Sequence, residues 1–128
     1  MAALIIWMTS DEARLFHVDA NSIQVEKLHY HGVRHPDETL GKNHPRTQTD
    51  EEKFFSQLTE KMKESPFETM LLMGPSYGPV NFVSYLERHA SQFLRKMIGV
   101  ERVDKMLDSE ILTIGRKYLH RHYLYNPS

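Results

Sequence analysis

The order of apolar segments predicts an α/β domain built on a mixed five-stranded sheet, with three antiparallel strands at the N-terminus and helices packed on its faces. Two observations carry this reading. Three strand-like runs follow one another at the start of the chain, after which helix-like and strand-like segments alternate to its end. The chain has 128 residues, 40% of them hydrophobic, which is enough for one genuine core and short for two. Residues 1–128 are therefore expected to form a single domain.

The first element, Ala3 to Met8, is a continuous apolar run. No basic flank precedes it, it is about half the length of a membrane span, and the polar TSDEAR follows at once, so it reads as a buried strand. Ala13 to Val18 and Ile23 to Tyr30 are richer in β-branched and aromatic residues, and turn formers separate the three runs. Thr9 to Glu12 is a short polar connection, and Asp19, Ala20 and Asn21 make the second, which together predict an antiparallel meander. A helix should open at Thr49-Asp50-Glu51-Glu52, with Thr49 as cap and acidic groups in the first turn, because Phe54, Phe55, Leu58 and Met62 then recur at helical spacing.

Thr69 to Met73, between Pro66 and Gly74, is a short apolar run of buried-strand type. After Gly74-Pro75-Ser76-Tyr77-Gly78, Pro79 suits a first helical turn, and a helix is expected from about Pro79 to His89. Ser91 to Lys96 adds a turn and Met97 to Val103 a further strand. Ser109 to His122 reads as an amphipathic helix with Ile111, Leu112, Gly115, Tyr118 and Leu119 facing inward.

Composition narrows the function classes. The absence of cysteine removes disulfide frameworks, zinc knuckles and thiol catalysis, and makes a reducing cytoplasm the expected compartment. A formal net charge of -1 gives no global attraction to nucleic acid, so any such binding has to come from a local basic surface.

The long polar connection at 32–49, between the third strand and the first helix, is the least ordinary part of the chain. Connections of that length inside a compact domain are functional or disordered rather than mere links. Arg34, His35, Lys42, His44 and Arg46 make it modestly basic, offset by Asp37 and Glu38, so it reads either as an arm that neutralises phosphates or as a solvated linker. A second cluster, GRKYLHRHYLY, places Arg116, Lys117, His120, Arg121 and His122 among Tyr118, Tyr123 and Tyr125. Basic groups interleaved with aromatics suit RNA, by phosphate contact and stacking, while cations near a helix C-terminus also simply complement its dipole. Arg88, His89, Arg95 and Lys96 read as a solvated face.

Other motifs are weaker. His29 and His31 alternate on one strand, with His35 and His44 beyond, but no spacing matches a zinc motif, and neither a metal nor another cofactor is expected. The turn MGPSYGP sits where backbone amides hold anions, yet it has neither dinucleotide nor P-loop spacing, so tight packing is the plainer reason for its glycines. GPSYG matches a nucleophile elbow only as a string, since so short a chain has no room for the hydrolase sheet, and no catalytic residue is assigned.

With its parts in this order, the chain resembles the single-domain bacterial relatives of the archaeo-eukaryotic peptide-chain release factors, also called translational machinery or host attachment proteins. It is similar in the same way to the middle domain of class 1 release factors and of Pelota. The likeness runs over nearly the whole chain and rests on an apolar first strand followed by EARLFHVD, then KLHYHGVRHP, TDEEKFFSQLTEKM, LLMGPSYGPVNFVSYLERH and IGRKYLHRHY. It implies an RNase H-like α/β layer. In release factors the connection between the third strand and the first helix carries the catalytic Gly-Gly-Gln. Here that place holds Gly32 and Gly41 apart, and Gln48 follows no glycine pair. Without paired glycines to bring the backbone up to the ester and a glutamine to position water, release of peptide is not expected.

The resemblance therefore implies a non-catalytic module, like the Pelota middle domain, that contacts the ribosome through rRNA or tRNA in rescue, stalling or dormancy. Arg34, His35, Lys42, His44 and Arg46 would make the contact, Arg116, Lys117 and Arg121 would assist, and another translation factor is a further expected partner. Two other readings stand beside it. One is a protein-interaction module without RNA binding. The other is a metal-dependent hydrolase or nuclease, for which Asp11, Glu12, Asp19 and Glu26 lie near the meander in no pattern that joins them.

Overall fold

The computed structural model describes residues 2–30, 48–104 and 107–125. Its elements are β1 (Ala3–Met8), β2 (Glu12–Val18), β3 (Ile23–His29), α1 (Gln48–Lys63), β4 (Thr69–Gly74), α2 (Gly78–His89), a 3-10 helix (Ser91–Lys96), β5 (Met97–Arg102) and α3 (Asp108–Tyr125). One five-stranded sheet has the order β3-β2-β1-β4-β5. The meander β1–β2–β3 is antiparallel, and β4 and β5 run parallel to β1 and to each other. This is the mixed sheet expected from the sequence.

β1 and β4 are buried at every position because they lie mid-sheet with helices on both faces. That is why each reads as an unbroken apolar run rather than an alternation. Side chains separate by parity. Leu4, Ile6 and Met8 of β1, Ala13 and Leu15 of β2, and Met70 and Leu72 of β4 form one core with Phe54, Phe55, Leu58 and Met62 of α1 and Phe82, Tyr85 and Leu86 of α2. On the opposite face Ala3, Ile5, Trp7, Phe16, Leu71 and Met73 pack with Ile111 and Leu119 of α3. Gly115 lets α3 lie close on β1, since a Cβ there would stand 2.5 Å from Ile5 Cδ1.

Short polar turns fix the meander. Thr9 Oγ1 accepts from the backbone amides of Asp11 (3.3 Å) and Glu12 (3.1 Å) and donates to Asp11 Oδ1. In the next turn Asp19 Oδ1 accepts from the amides of Asn21 and Ser22, both at 2.8 Å. These two bonds lower the Asp19 pKa from its ordinary 3.8.

Some boundaries differ from the sequence reading. The first helix already includes Gln48, so Thr49 is a first-turn residue rather than its cap. α3 extends to Tyr125, three residues past the expected His122, and the segment at 91–96 closes as a 3-10 helix around buried Phe93. Of the polar connection 32–49, only Gln48 and Thr49 fall within the described residues, so the expectations for Arg34, His35, Lys42, His44 and Arg46, and for His31, lie outside them.

Candidate nucleic-acid interface

Because β3 is antiparallel to β2, and β2 to β1, strands β1, β3, β4 and β5 all point the same way. Their C-terminal ends therefore gather at one end of the sheet, where open α/β sheets place ligands. Tyr30, which follows β3, and the first turn of α1 both lie there. The Tyr30 amide donates to the Asp11 carbonyl (2.9 Å), and the first turn of α1 is held by Tyr30 Oη to Asp50 Oδ1 and by Asn81 Nδ2 to Glu51 Oε2, each at 3.4 Å. The same end carries the N-termini of α2 and α3, the latter tied to β2 by Arg14 Nη1 to Asp108 Oδ1 at 2.8 Å.

Asp50, Glu51 and Asp108 at this end are engaged in these contacts. Among the described residues no three histidine, aspartate or glutamate side chains stand close enough to share a metal ion. The turn MGPSYGP is explained by packing. A Cβ on Gly78 would stand 2.7 Å from the Thr9 carbonyl carbon and 2.9 Å from its oxygen, so glycine is needed for α2 to start against the β1–β2 turn. Tyr77 occupies the cap position without a side-chain cap and is 74% exposed, and Val80, one turn on, is 55% exposed. Ser76 is also exposed at this turn.

The C-terminal basic cluster is brought together on one surface. With Ile111, Gly115 and Leu119 inward, helical phase puts Arg116, Lys117, His120 and Arg121 on the outer face of α3, all exposed. They line a shallow depression of about 420 Å³. The acidic residues near the start of α3, Asp108 and Glu110, belong to its first turn, and among the described residues no carboxylate pairs with Arg116, Lys117 or Arg121. Complementing the helix dipole does not account for the cluster, because Arg116 and Lys117 lie more than two turns from the helix end at Tyr125 and the dipole acts over the last turn.

Tyr118 takes the inward position that helical spacing predicts, and neither it nor Tyr123 serves the stacking role also considered for the cluster. Tyr118 turns toward the sheet, its hydroxyl donating to the Ile98 carbonyl at 3.3 Å, and Tyr123 shares a hydrogen bond with Thr69 Oγ1 at 2.9 Å. Neither is presented for base stacking. Arg116 and Arg121 lie about 12 and about 20 Å along the axis from Asp108.

Of the four basic residues expected on a solvated face, Lys96 departs. Its Nζ donates to the Phe67 carbonyl at 2.9 Å and stands 4.8 Å from the centre of the Phe67 ring, which stacks on Phe93. Arg88, exposed as expected, pairs with Glu52 at 3.4 Å. The sequence reading missed Arg14 and Lys27, which with Glu12, Leu28 and His29 line a depression of about 220 Å³ on β2 and β3. Arg14 lies opposite Lys27, and Glu12 opposite His29, a pairing that depends on strand register.

No family profile matches the chain, and no curated protein gives a significant match. Solved structures do match in fold. Pelota from Archaeoglobus fulgidus superposes with a TM-score of 0.66 at 11% identity, over 91% of this chain and 31% of that one. Dom34 from S. cerevisiae, described as a translation termination-like factor involved in RNA quality control pathways and interacting with Hbs1, gives 0.62 at 14% identity over 97% and 34%. An archaeal translation termination factor, aRF1, gives 0.59 at 13% identity over 97% and 40%. The chain thus spans between three tenths and two fifths of the length of these proteins, and at such identities the likeness is one of fold.

Proposed function

We propose that this chain is a non-catalytic, translation-associated module that binds the ribosome or tRNA. The observation that carries the reading is the fold shared with Pelota, Dom34 and aRF1 over more than nine tenths of the chain. The motif order that resembles the bacterial single-domain relatives of release factors supports it independently. Arg34, His35, Lys42, His44 and Arg46 of the polar connection make the principal contact with rRNA or tRNA, and Arg116, Lys117 and Arg121 assist. The connection lacks Gly-Gly-Gln, so the module occupies its site without hydrolysing peptidyl-tRNA, in rescue, stalling or dormancy, in the cytoplasm.

A second reading, docking to another translation factor, is favoured by the exposed Tyr77 and Val80 beside the start of α2. Titration of purified ribosomes into the labelled chain separates the two. Saturable binding that weakens steeply with salt, with no peptide released from a stalled complex, supports the ribosomal reading. No binding at low salt contradicts it and leaves the protein partner.

A further inference from the structure

We propose that the outer face of α3 is a contact surface for the sugar–phosphate backbone of paired RNA. The proposal deepens the ribosome-binding reading and rests on it for the class of partner. Four basic side chains, Arg116, Lys117, His120 and Arg121, are exposed within two turns of one helix face. Arg116, Lys117 and Arg121 have no carboxylate partner among the described residues, in a chain whose net charge is -1. A local excess of unpaired cations on a nearly neutral protein complements a polyanion.

The aromatic side chains decide which kind of RNA. Surfaces that hold single strands combine cations with exposed rings on which bases stack. Here Tyr118 and Tyr123 are held to the sheet through the Ile98 carbonyl and Thr69, and the exposed Arg121 guanidinium stands 5.9 Å from the centre of the Tyr118 ring. Among the described side chains, what the outer face of α3 presents between 116 and 121 is a row of charge. Such a row reads no base and matches phosphates whose spacing is already fixed, as in a duplex, where recognition is by shape and backbone. Arg116 to Arg121 spans about 7.5 Å of helix axis, enough to reach phosphates on both sides of the shallow depression between them.

The test is anisotropy of a labelled 20-base-pair RNA duplex, and of a single strand of equal length, titrated with the full chain between 50 and 200 mM salt. Three phosphate contacts correspond to a salt slope of roughly 2.7, or about a 40-fold loss of affinity over that range. Replacing Arg116, Lys117 and Arg121 by glutamine is expected to weaken duplex binding at least about tenfold at 50 mM and to flatten the slope by two or more. Arg116→Lys with Arg121→Lys is expected to keep the salt slope and most of the affinity, because counterion release depends on the number of phosphates neutralised and lysine neutralises them as arginine does. Circular dichroism confirms that these exposed substitutions leave the fold intact. Unchanged duplex binding by the glutamine variant overturns the proposal, as does a wild-type preference for the single strand, or loss of binding in the lysine variant. Ribosome binding is measured separately. If it persists while the duplex result fails, the α3 assignment falls alone, and if duplex binding passes through α3 without any ribosome binding, the functional reading falls instead.

Discussion

Replacing Gly78 with alanine tests whether the glycines of MGPSYGP serve packing. The new methyl group would stand 2.7, 2.9 and 3.0 Å from the carbonyl carbon, oxygen and Cα of Thr9, all backbone atoms. Thr9 is held by its own amide to the Glu12 carbonyl at 2.9 Å and by the bonds to its hydroxyl, so it has little freedom to give. Overpacking of this kind costs about 1–3 kcal/mol, and the gain from alanine over glycine is at most about 1 kcal/mol in a helix interior and smaller in its first turn. A net loss of about 1–2 kcal/mol follows, which lowers the melting temperature by roughly 3–10 °C in a chain of this size. Urea unfolding followed by fluorescence is well suited to it, because Trp7 is the only tryptophan and is 1% exposed. Gly115→Ala is the comparison: its methyl group meets side-chain rather than backbone atoms, with Ile5 Cδ1 nearest at 2.5 Å, so with the gain in helix propensity its loss is expected to be smaller than that of Gly78→Ala. If Gly78→Ala is as stable as wild type, or if inorganic phosphate alone raises the wild-type midpoint, the packing account is wrong.

Other consequences are as direct. Lys96→Ala removes the bond to the Phe67 carbonyl and the cation over that ring, and a loss of about 1–2.5 kcal/mol in urea unfolding is expected; under 0.5 kcal/mol would return Lys96 to the solvated face. The Asp19 carboxyl should titrate below 3.8 by NMR. A folded pKa below the unfolded one means that the turn's contribution is complete above the ordinary aspartate range and is lost as the pH falls through the lowered value, so a midpoint at or above 3.8 would show that the amides of Asn21 and Ser22 do not hold the ion.

The sheet was legible because burial on two faces leaves a continuous apolar run, as in β1 and β4, and because Phe54, Phe55, Leu58 and Met62 keep helical phase on α1. Contacts between distant segments were not. Lys96 meets Phe67 across 29 positions and Arg14 meets Asp108 across 94, and neither partner is marked by local pattern. The basic face of α3 was legible as a cluster, but Tyr118 within it was assigned two roles. Helical phase puts Tyr118 beside Gly115 and Leu119, on the inner side, and that phase, rather than the mixture of residue types, governs what the surface offers. The basic residues of the polar connection are carried by the sequence alone.

The central claim is tested most directly by co-sedimentation of the purified chain with ribosomes across a salt series, comparing wild type with the variant in which Arg34, Lys42 and Arg46 are alanine. Wild type is expected to pellet at low salt and to be released as salt rises, with the variant left in the supernatant. Wild type remaining in the supernatant even at low salt, or a variant that pellets as wild type does, would contradict the account.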